Sequence, residues 1–203
     1  MLQRDTPRLI LASQSPFRRA LLEGVGLRFT AHPAHVDEAA VKRAVQAEHE
    51  SAEDAALLLA EMKAARVAQR EPEALVIGAD QILVCEDAWF AKPTDIADAR
   101  AQLRALRGKT HMLATAVVCH VGEARIWHYV ARPRLTMRAF SDAFLEAYLA
   151  EEDETVTTTV GGYRLEGPGM QLFDRIDGEH SAIIGLPMLS LLGFLRQHGV
   201  LLD

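Results

Sequence analysis

Apolar residues recur along this chain at two spacings, one typical of buried strands and the other of amphipathic helices. The run LILA at residues 9–12 leads into two serines, Pro16 and a helical pattern with Leu21 and Leu22 on one side. Serine favours the N-cap of a helix, here Ser15, and proline its first helical position. The stretch therefore predicts a strand, a turn and a helix.

The middle of the chain carries the strongest signals. Residues 51–69 predict a helix, because Ser51 and Asp54 form a capping box and apolar residues repeat behind them at helical spacing. The run ALVIGAD at 74–80 predicts a buried strand, and QILVCED continues as a second extended run. A short strand is expected before the acidic pair Asp37 and Glu38.

The second half predicts a hairpin, three helices and a glycine-rich loop. Thr94 is expected to cap a helix that Gly108 closes, and extended runs at 111–120 and 125–135 flank a turn. A helix at 141–151, a loop with five glycines and a helix entered through Pro187 complete the pattern. Interleaved helices and strands with a hairpin predict an α/β fold with a central mixed sheet flanked by helices.

Composition narrows the protein class. The 203 residues, 49% hydrophobic and 25% charged, fit one domain over 1–203, or one core split into two lobes. A net charge of −6 argues against a broad nucleic-acid surface. Cys85 and Cys119 lack metal-ligand spacing, and a reduced protein is favoured over one disulfide. The apolar runs are too short for a signal peptide or a membrane span, so we expect a soluble cytoplasmic protein.

Ser13, Ser15 and Arg18 at the first turn form the first candidate site. A helix N-terminus offers free N–H groups and a partial positive charge, to which a guanidinium adds a bidentate donor. The turn therefore predicts an anion site, although capping serines and an exposed basic face explain the same residues.

Carboxylates and lysines form the other candidates. Asp80 ends an apolar strand, where a carboxylate can accept a proton from water or hold a divalent cation. Lys63 borders the buried face of its helix, and Lys92 precedes a helix. Taken singly, Asp80 reads as a turn residue, and the two lysines and the pair Asp37 and Glu38 as solvated side chains. Together they are typical of phosphoryl chemistry, in which charge neutralisation dominates.

Seven ordered motifs resemble the Maf family of nucleoside triphosphate pyrophosphatases nearly end to end. They are LASQSPFRRALL, VDE at 36–38, LAEMKA around Lys63, VIGADQ, AKP at Lys92, GGYRLEG and DGEHSAIIGLP. Two of them depart from the family pattern, since AKP stands for the usual GKP and GGY for the more frequent AGS.

The resemblance implies a fold and an activity. The fold is a mixed α/β one with a nucleotide cleft between two lobes, related to inosine triphosphate pyrophosphatases. The activity is hydrolysis of a nucleoside triphosphate to the monophosphate and pyrophosphate with a divalent metal, Mg²⁺ or Mn²⁺, usually in a homodimer. By position, Asp80 is the expected general base and, with Glu38, the metal ligand; the expected triphosphate-binding residues are Ser13, Ser15, Arg18, Lys63 and Lys92.

One sub-group of the family is similar to this chain at three positions. Phe17, Gln81 and Glu166 match its aromatic, Gln and Glu, where the group acting on dTTP and UTP has Arg, Thr and Gln. The sub-group is associated with 7-methyl-GTP, whose cationic ring stacks on an aromatic face. A dTTP or UTP pyrophosphatase and a nucleotide-responsive regulator of cell division stay open as alternatives.

Overall fold

Eight strands and seven α-helices make up the part of the chain that the computed structural model describes, residues 2–202. The strands are β1 (Leu9–Leu11), β2 (Thr30–Ala31), β3 (Leu75–Cys85), β4 (Ala88–Phe90), β5 (Thr110–Val121), β6 (Ala124–Ala131), β7 (Arg134–Met137) and β8 (Phe173–Asp177). The helices are α1 (Pro16–Gly24), α2 (Glu38–Ala47), α3 (Ala52–Ala68), α4 (Ile96–Leu106), α5 (Asp142–Glu152), α6 (His180–Ile184) and α7 (Met188–Gln197). Three short 3₁₀ segments follow α5, at Asp153–Thr157, Val160–Gly162 and Pro168–Leu172.

The strands form one mixed sheet, which confirms the predicted α/β fold with a mixed sheet. Neighbouring strands follow the order β2-β1-β3-β5-β7-β8, with β4 paired to β3 and β6 to β5. Strand β1 runs parallel to β2 and β3, whereas β3–β4, β5–β6, β5–β7 and β7–β8 are antiparallel. The predicted hairpin is present, with Val121 paired to Ala124 across its turn.

The chain divides into two compact units. The first takes the described chain up to Gln81, Thr115–Ala131 and the residues from Glu179 on. Its core joins β1, β3 and β5 to α1 and α7 through fully or almost fully buried side chains, among them Leu9, Leu11, Leu22, Leu75, Ile77, Val117, Leu191 and Leu195. Full burial of such a side chain contributes about 1.5–3 kcal/mol, so this core fixes the strands that carry the candidate site.

Helix α3 packs closely on β3 within the first unit. A Cβ added at Gly78 would lie 2.2 Å from the carbonyl oxygen of Ala60 and 2.8 Å from the Cβ of Ala64. Only glycine leaves room for this approach of helix to strand. Alternate residues of a strand share a face, so Asp80 lies on the same face of β3 as Gly78, next to α3.

The second unit comprises Ile82–Ala114 and Arg132–Gly178. Helices α4 and α5 contribute its apolar side chains together with β5 and β7, among them Leu103, Leu106, Leu113, Leu135, Leu145 and Leu149. The buried carboxylate of Glu152 accepts two hydrogen bonds from Arg164, at 2.9 and 3.0 Å, which ties the chain after the second 3₁₀ segment to the end of α5. Burial lowers the pKa of His111, within this unit, to about 4.

The structure corrects the sequence predictions in several places. Asp95, not Thr94, caps α4, because its carboxylate accepts the N–H of Asp98 at 2.7 Å. The runs at 74–80 and 81–87 form the single strand β3, and the glycine loop contains β8. Helices α2 and α6 were not predicted.

Other predicted elements are confirmed. Ser15 and Ser51 are N-caps, and the capping box of Ser51 and Asp54 is present. The helix predicted at 141–151 is α5, and Ser141 is its N-cap. Cys85 and Cys119 are both buried and free. Among the helices of residues 2–202, none has the length and apolar content needed to cross a membrane.

Candidate active site

The turn after β1 gathers the first three predicted residues. The Ser15 hydroxyl accepts the backbone N–H of Arg18 at 3.4 Å, and Pro16 occupies the first helical position. The Ser13 hydroxyl accepts the backbone N–H of Ser15 at 3.2 Å and the Nη1 of Arg18 at 3.3 Å. Ser15 therefore caps the helix, as the capping interpretation predicts, and Ser13 holds the guanidinium that follows.

Protein acceptors fix two of the three nitrogens of the Arg18 guanidinium. Its Nε donates to the carbonyl of Gly185 at 3.0 Å, and its Nη1 donates to the carbonyl of Ala79 at 2.9 Å. Within residues 2–202, Nη2 has no such acceptor, so both N–H groups of Nη2 remain available to an anion. Burial lowers the pKa of Arg18, and the charges of Asp80 and Glu38 act in the opposite direction.

Lys63 lies between two carboxylates. Its Nζ is 2.5 Å from Oδ1 of Asp80 and 2.5 Å from Oε1 of Glu38. The Lys63 and Asp80 side chains are 9% and 4% exposed, whereas that of Glu38 is 46% exposed. The cluster thus has a buried ion pair on one side and a solvated one on the other.

Two features of this cluster bear on its chemistry. The second carboxylate oxygen of Asp80, Oδ2, is buried and has no hydrogen-bond partner in the structure. Burial raises the pKa of Glu38, but the charge and hydrogen bond of Lys63, aided by Lys42 and Arg18, outweigh burial and lower the pKa overall. Both carboxylates can therefore offer an anionic oxygen to a cation or to a proton.

The residues fit a hard divalent cation that the substrate helps to hold. No group of three or more histidine, cysteine, aspartate or glutamate side chains suited to a metal occurs in the described chain. Magnesium is commonly bound by one or two carboxylates together with substrate phosphates. Glu38 and the carboxylate of Asp80 could supply that donor set.

Gln81 lies on the opposite face of β3 from Asp80, and its amide nitrogen is fully engaged. Its two N–H groups are shared among three acceptors, the hydroxyl of Thr115 at 2.8 Å and the carbonyls of Ala182 and Ile183, both at 3.0 Å. Carbonyls only accept, so the amide orientation is fixed and Oε1 is left as the acceptor that could face a ligand. Thr115 was not among the predicted site residues.

Three predicted residues remain, Phe17, Lys92 and Glu166. Phe17 is half-buried at the second position of α1. In the second unit, Lys92 is exposed just after β4, and Glu166 is exposed two residues beyond Arg164. The pKa of Arg164 is raised mainly by its hydrogen bond to Glu152, and the nearby charge of Glu166 raises it further. That Lys92 and Glu166 join the first-unit residues in one site stays a prediction.

A family model described as Maf-like protein matches residues 8–198. The chain belongs to the Maf-like protein family.

Maf-like relatives with curated names cover nearly all of the chain. A nucleoside triphosphate pyrophosphatase of Granulibacter bethesdensis is 53% identical over 96% of this chain and 98% of the relative. One of Rhodospirillum rubrum is 52% identical over 97% and 98%. A 7-methyl-GTP pyrophosphatase of Rhizobium etli is 47% identical, also over 97% and 98%. The predicted family is confirmed.

Proposed function

We propose that this Maf-family protein, a nucleoside triphosphate pyrophosphatase, hydrolyses 7-methyl-GTP to 7-methyl-GMP and pyrophosphate. The observation that carries the proposal is the buried carboxylate of Asp80, paired through one oxygen with Lys63 and unpartnered at the other. A carboxylate in that state can take a proton from water without first giving up a protein hydrogen bond.

The reaction is an attack of water on the α-phosphorus. Asp80 accepts the proton from the water through Oδ2, the bond between the α-phosphorus and the bridging oxygen breaks, and pyrophosphate leaves. Arg18 and Lys63, with Lys92, neutralise charge on the phosphate oxygens, and Ser13 and Ser15 hold the turn that carries Arg18. The fixed orientation of Arg18 supports this role, because a guanidinium already oriented by protein loses little freedom when it binds phosphate.

Glu38 and Asp80 are the residues that would hold a divalent cation, Mg²⁺ or Mn²⁺. When bound, such an ion neutralises phosphate charge and polarises the phosphoryl oxygens. Because Lys63 already touches both carboxylates, the ammonium and the cation would share one anionic cluster, and Glu38 is the carboxylate with solvent access.

The base preference rests on Phe17, Gln81 and Glu166. A methylated guanine ring carries a delocalised positive charge that favours an aromatic face such as Phe17. Its N1–H and N2–H₂ edge offers two donors that the carboxylate of Glu166 can accept as a pair. The relative from Rhizobium etli, whose name specifies 7-methyl-GTP, supports this substrate, while the two relatives above 50% identity carry the general name.

A turnover panel tests the substrate. The purified chain is assayed with 7-methyl-GTP, GTP, dTTP and UTP in the presence of Mg²⁺, with pyrophosphate release as the readout. We expect the highest kcat/KM for 7-methyl-GTP. A higher value for dTTP or UTP would assign the chain to the pyrimidine group instead.

Glu166→Gln tests how the base is recognised. Loss of one charged partner of a paired hydrogen bond costs about 2–5 kcal/mol at a desolvated site, and the amide keeps one acceptor. We expect kcat/KM for 7-methyl-GTP to fall by about ten- to a few-hundred-fold, with a much smaller loss for UTP. Glu151→Gln, an exposed glutamate at the end of α5, is the matched control. An equal loss on all substrates would make Glu166 a scaffold residue.

A further inference from the structure

The carbonyls at the end of α6 cannot be satisfied by the helix itself. The backbone N–H groups of Gly185 and Leu186 both donate to the carbonyl of Ser181, each at 3.0 Å. The next residue, Pro187, has no N–H to offer. The carbonyls of Ala182 and Ile183 therefore need hydrogen-bond donors from outside the helix.

Two side chains from the sheet supply those partners. Nε2 of Gln81 donates to both carbonyls, and the hydroxyl of Thr115 donates to that of Ala182 at 2.9 Å. Since the Thr115 hydroxyl uses its only hydrogen there, it can only accept from Nε2 of Gln81, 2.8 Å away, whose two N–H groups are shared among the hydroxyl and the two carbonyls. Thr115 is fully buried, so water cannot take over its role.

The same end of α6 carries one of the acceptors that hold Arg18. Gly185 follows α6 with a φ of +133°, a conformation that favours glycine, and its carbonyl accepts Nε of Arg18 at 3.0 Å. A Cβ at this position would lie 3.3 Å from Nε. A shift of the α6 end therefore shifts an acceptor of the guanidinium.

We infer that Thr115 is a positioning residue for the pyrophosphatase reaction. With Gln81 it holds the end of α6, and through the carbonyl of Gly185 it keeps the guanidinium of Arg18 in one orientation, with Nη2 available to phosphate. The inference rests on the proposed function, since it takes Arg18 to be a phosphate-binding residue. It extends the site to a fully buried hydroxyl that acts through Arg18.

A double-mutant cycle with Arg18 tests the inference. The variants are Thr115→Val, Thr115→Ser as the matched control that keeps the hydroxyl, Arg18→Ala, and Thr115→Val combined with Arg18→Ala. Each is assayed for kcat/KM on 7-methyl-GTP and UTP and for inhibition by inorganic pyrophosphate. Thermal unfolding is followed in parallel.

We expect Thr115→Val to lower kcat/KM about tenfold on both substrates and to weaken pyrophosphate inhibition, with activity retained in Thr115→Ser. In the Arg18→Ala background the same change should cost less than about twofold, because the group it positions is gone. A residue that only stabilises the fold would give the same fold-change in both backgrounds.

Three results would overturn the inference: wild-type kinetics in Thr115→Val, an equal loss with and without Arg18, or no rescue by serine. If the valine variant does not fold, Thr115→Ala is carried through the same cycle. Failure of the proposed function is distinguishable, because Arg18→Ala would then leave kcat/KM unchanged on every triphosphate.

Discussion

Lys63 makes two ion pairs of equal length that should differ greatly in strength. Its Nζ lies 2.5 Å from both Asp80 and Glu38, but the Asp80 side chain is 4% exposed and that of Glu38 46%. Lys63→Met removes the ammonium and keeps most of the side-chain volume. It leaves one carboxylate unpaired in the interior and the other unpaired in water.

The magnitude follows from burial. Loss of one partner from a buried pair destabilises a protein by about 3–5 kcal/mol, whereas an exposed pair contributes about 0–1 kcal/mol. Lys63→Met should therefore lower the free energy of unfolding by about 3–5 kcal/mol, almost all of it through Asp80. For a chain of this size that is a fall in Tm of about 6–20 °C, at about 2–4 °C per kcal/mol.

Two double-mutant cycles measure the two pairs separately. Reversible urea unfolding is recorded for Lys63→Met, Asp80→Asn, Glu38→Gln and both combinations with Lys63→Met. We expect a coupling energy of about 2–3 kcal/mol between Lys63 and Asp80 and under about 1 kcal/mol between Lys63 and Glu38. Asp80→Asn should also restore much of the stability that Lys63→Met removes.

Equal coupling energies would refute the reasoning, because burial would then not decide the strength of either pair. So would a Lys63→Met variant as stable as the unchanged chain. Nucleotide-free protein is used throughout, so that phosphate contacts do not enter the measured stability.

Three further predictions concern packing, pH and phosphate binding. Gly78→Ala should lower the free energy of unfolding by about 1–3 kcal/mol in urea melts, because its Cβ would lie 2.2 Å from an oxygen of α3, whereas Gly24→Ala, with nothing within 4 Å, should not lower it. Burial lowers the pKa of His111 to about 4, so the stability linked to its neutral form is fully present above the unfolded pKa near 6.5 and is lost as pH falls toward 4. At about 1.4 kcal/mol per pKa unit the loss is about 3 kcal/mol. His111→Gln should therefore make the free energy of unfolding, measured in urea melts, depend less on pH over that range. Arg18→Ala and Lys92→Ala should each lower kcat/KM on every triphosphate in the panel, since phosphate is common to all of them.

Each of these has a contrary outcome. Equal stability of the two alanine variants would mean that α3 can move away from β3 without cost. An unchanged pH profile in His111→Gln would assign the acid sensitivity to other groups. A base-selective loss on substitution of either cation would put that residue against the base.

Local chemistry made much of the fold predictable. Ser15, Ser51 and Ser141 start helices whose caps involve residues three positions away, so their signals are complete within one short stretch. Helix α2 was missed because Val45 is its only buried residue, although Asp37 before a run of helix formers was a usable signal. Helix α6 has only five residues, too few for the helical repeat of apolar residues to recur.

The site was predictable in its charges but not in its supports. Asp80 stood out at the end of the apolar run 74–80, and Lys63 at the border of a buried helical face. The prediction that Asp80 ends its strand was wrong, because β3 continues to Cys85. The acceptors that hold Arg18 are backbone carbonyls 61 and 167 residues away in sequence, and backbone carries no residue-specific signal. Thr115 lies in an apolar strand, and its role depends on α6, 67 residues further along the chain.

The central claim is that Asp80 takes the proton from the attacking water. Its most direct test is pyrophosphate release from 7-methyl-GTP by Asp80→Asn, with nucleotide affinity measured on the same preparation by calorimetry. The amide keeps the shape of the side chain but cannot take the proton, and loss of a general base costs about 10²–10⁴-fold. We predict a loss of kcat in that range with nucleotide binding and circular dichroism preserved. Near-native pyrophosphate release by Asp80→Asn would contradict the account.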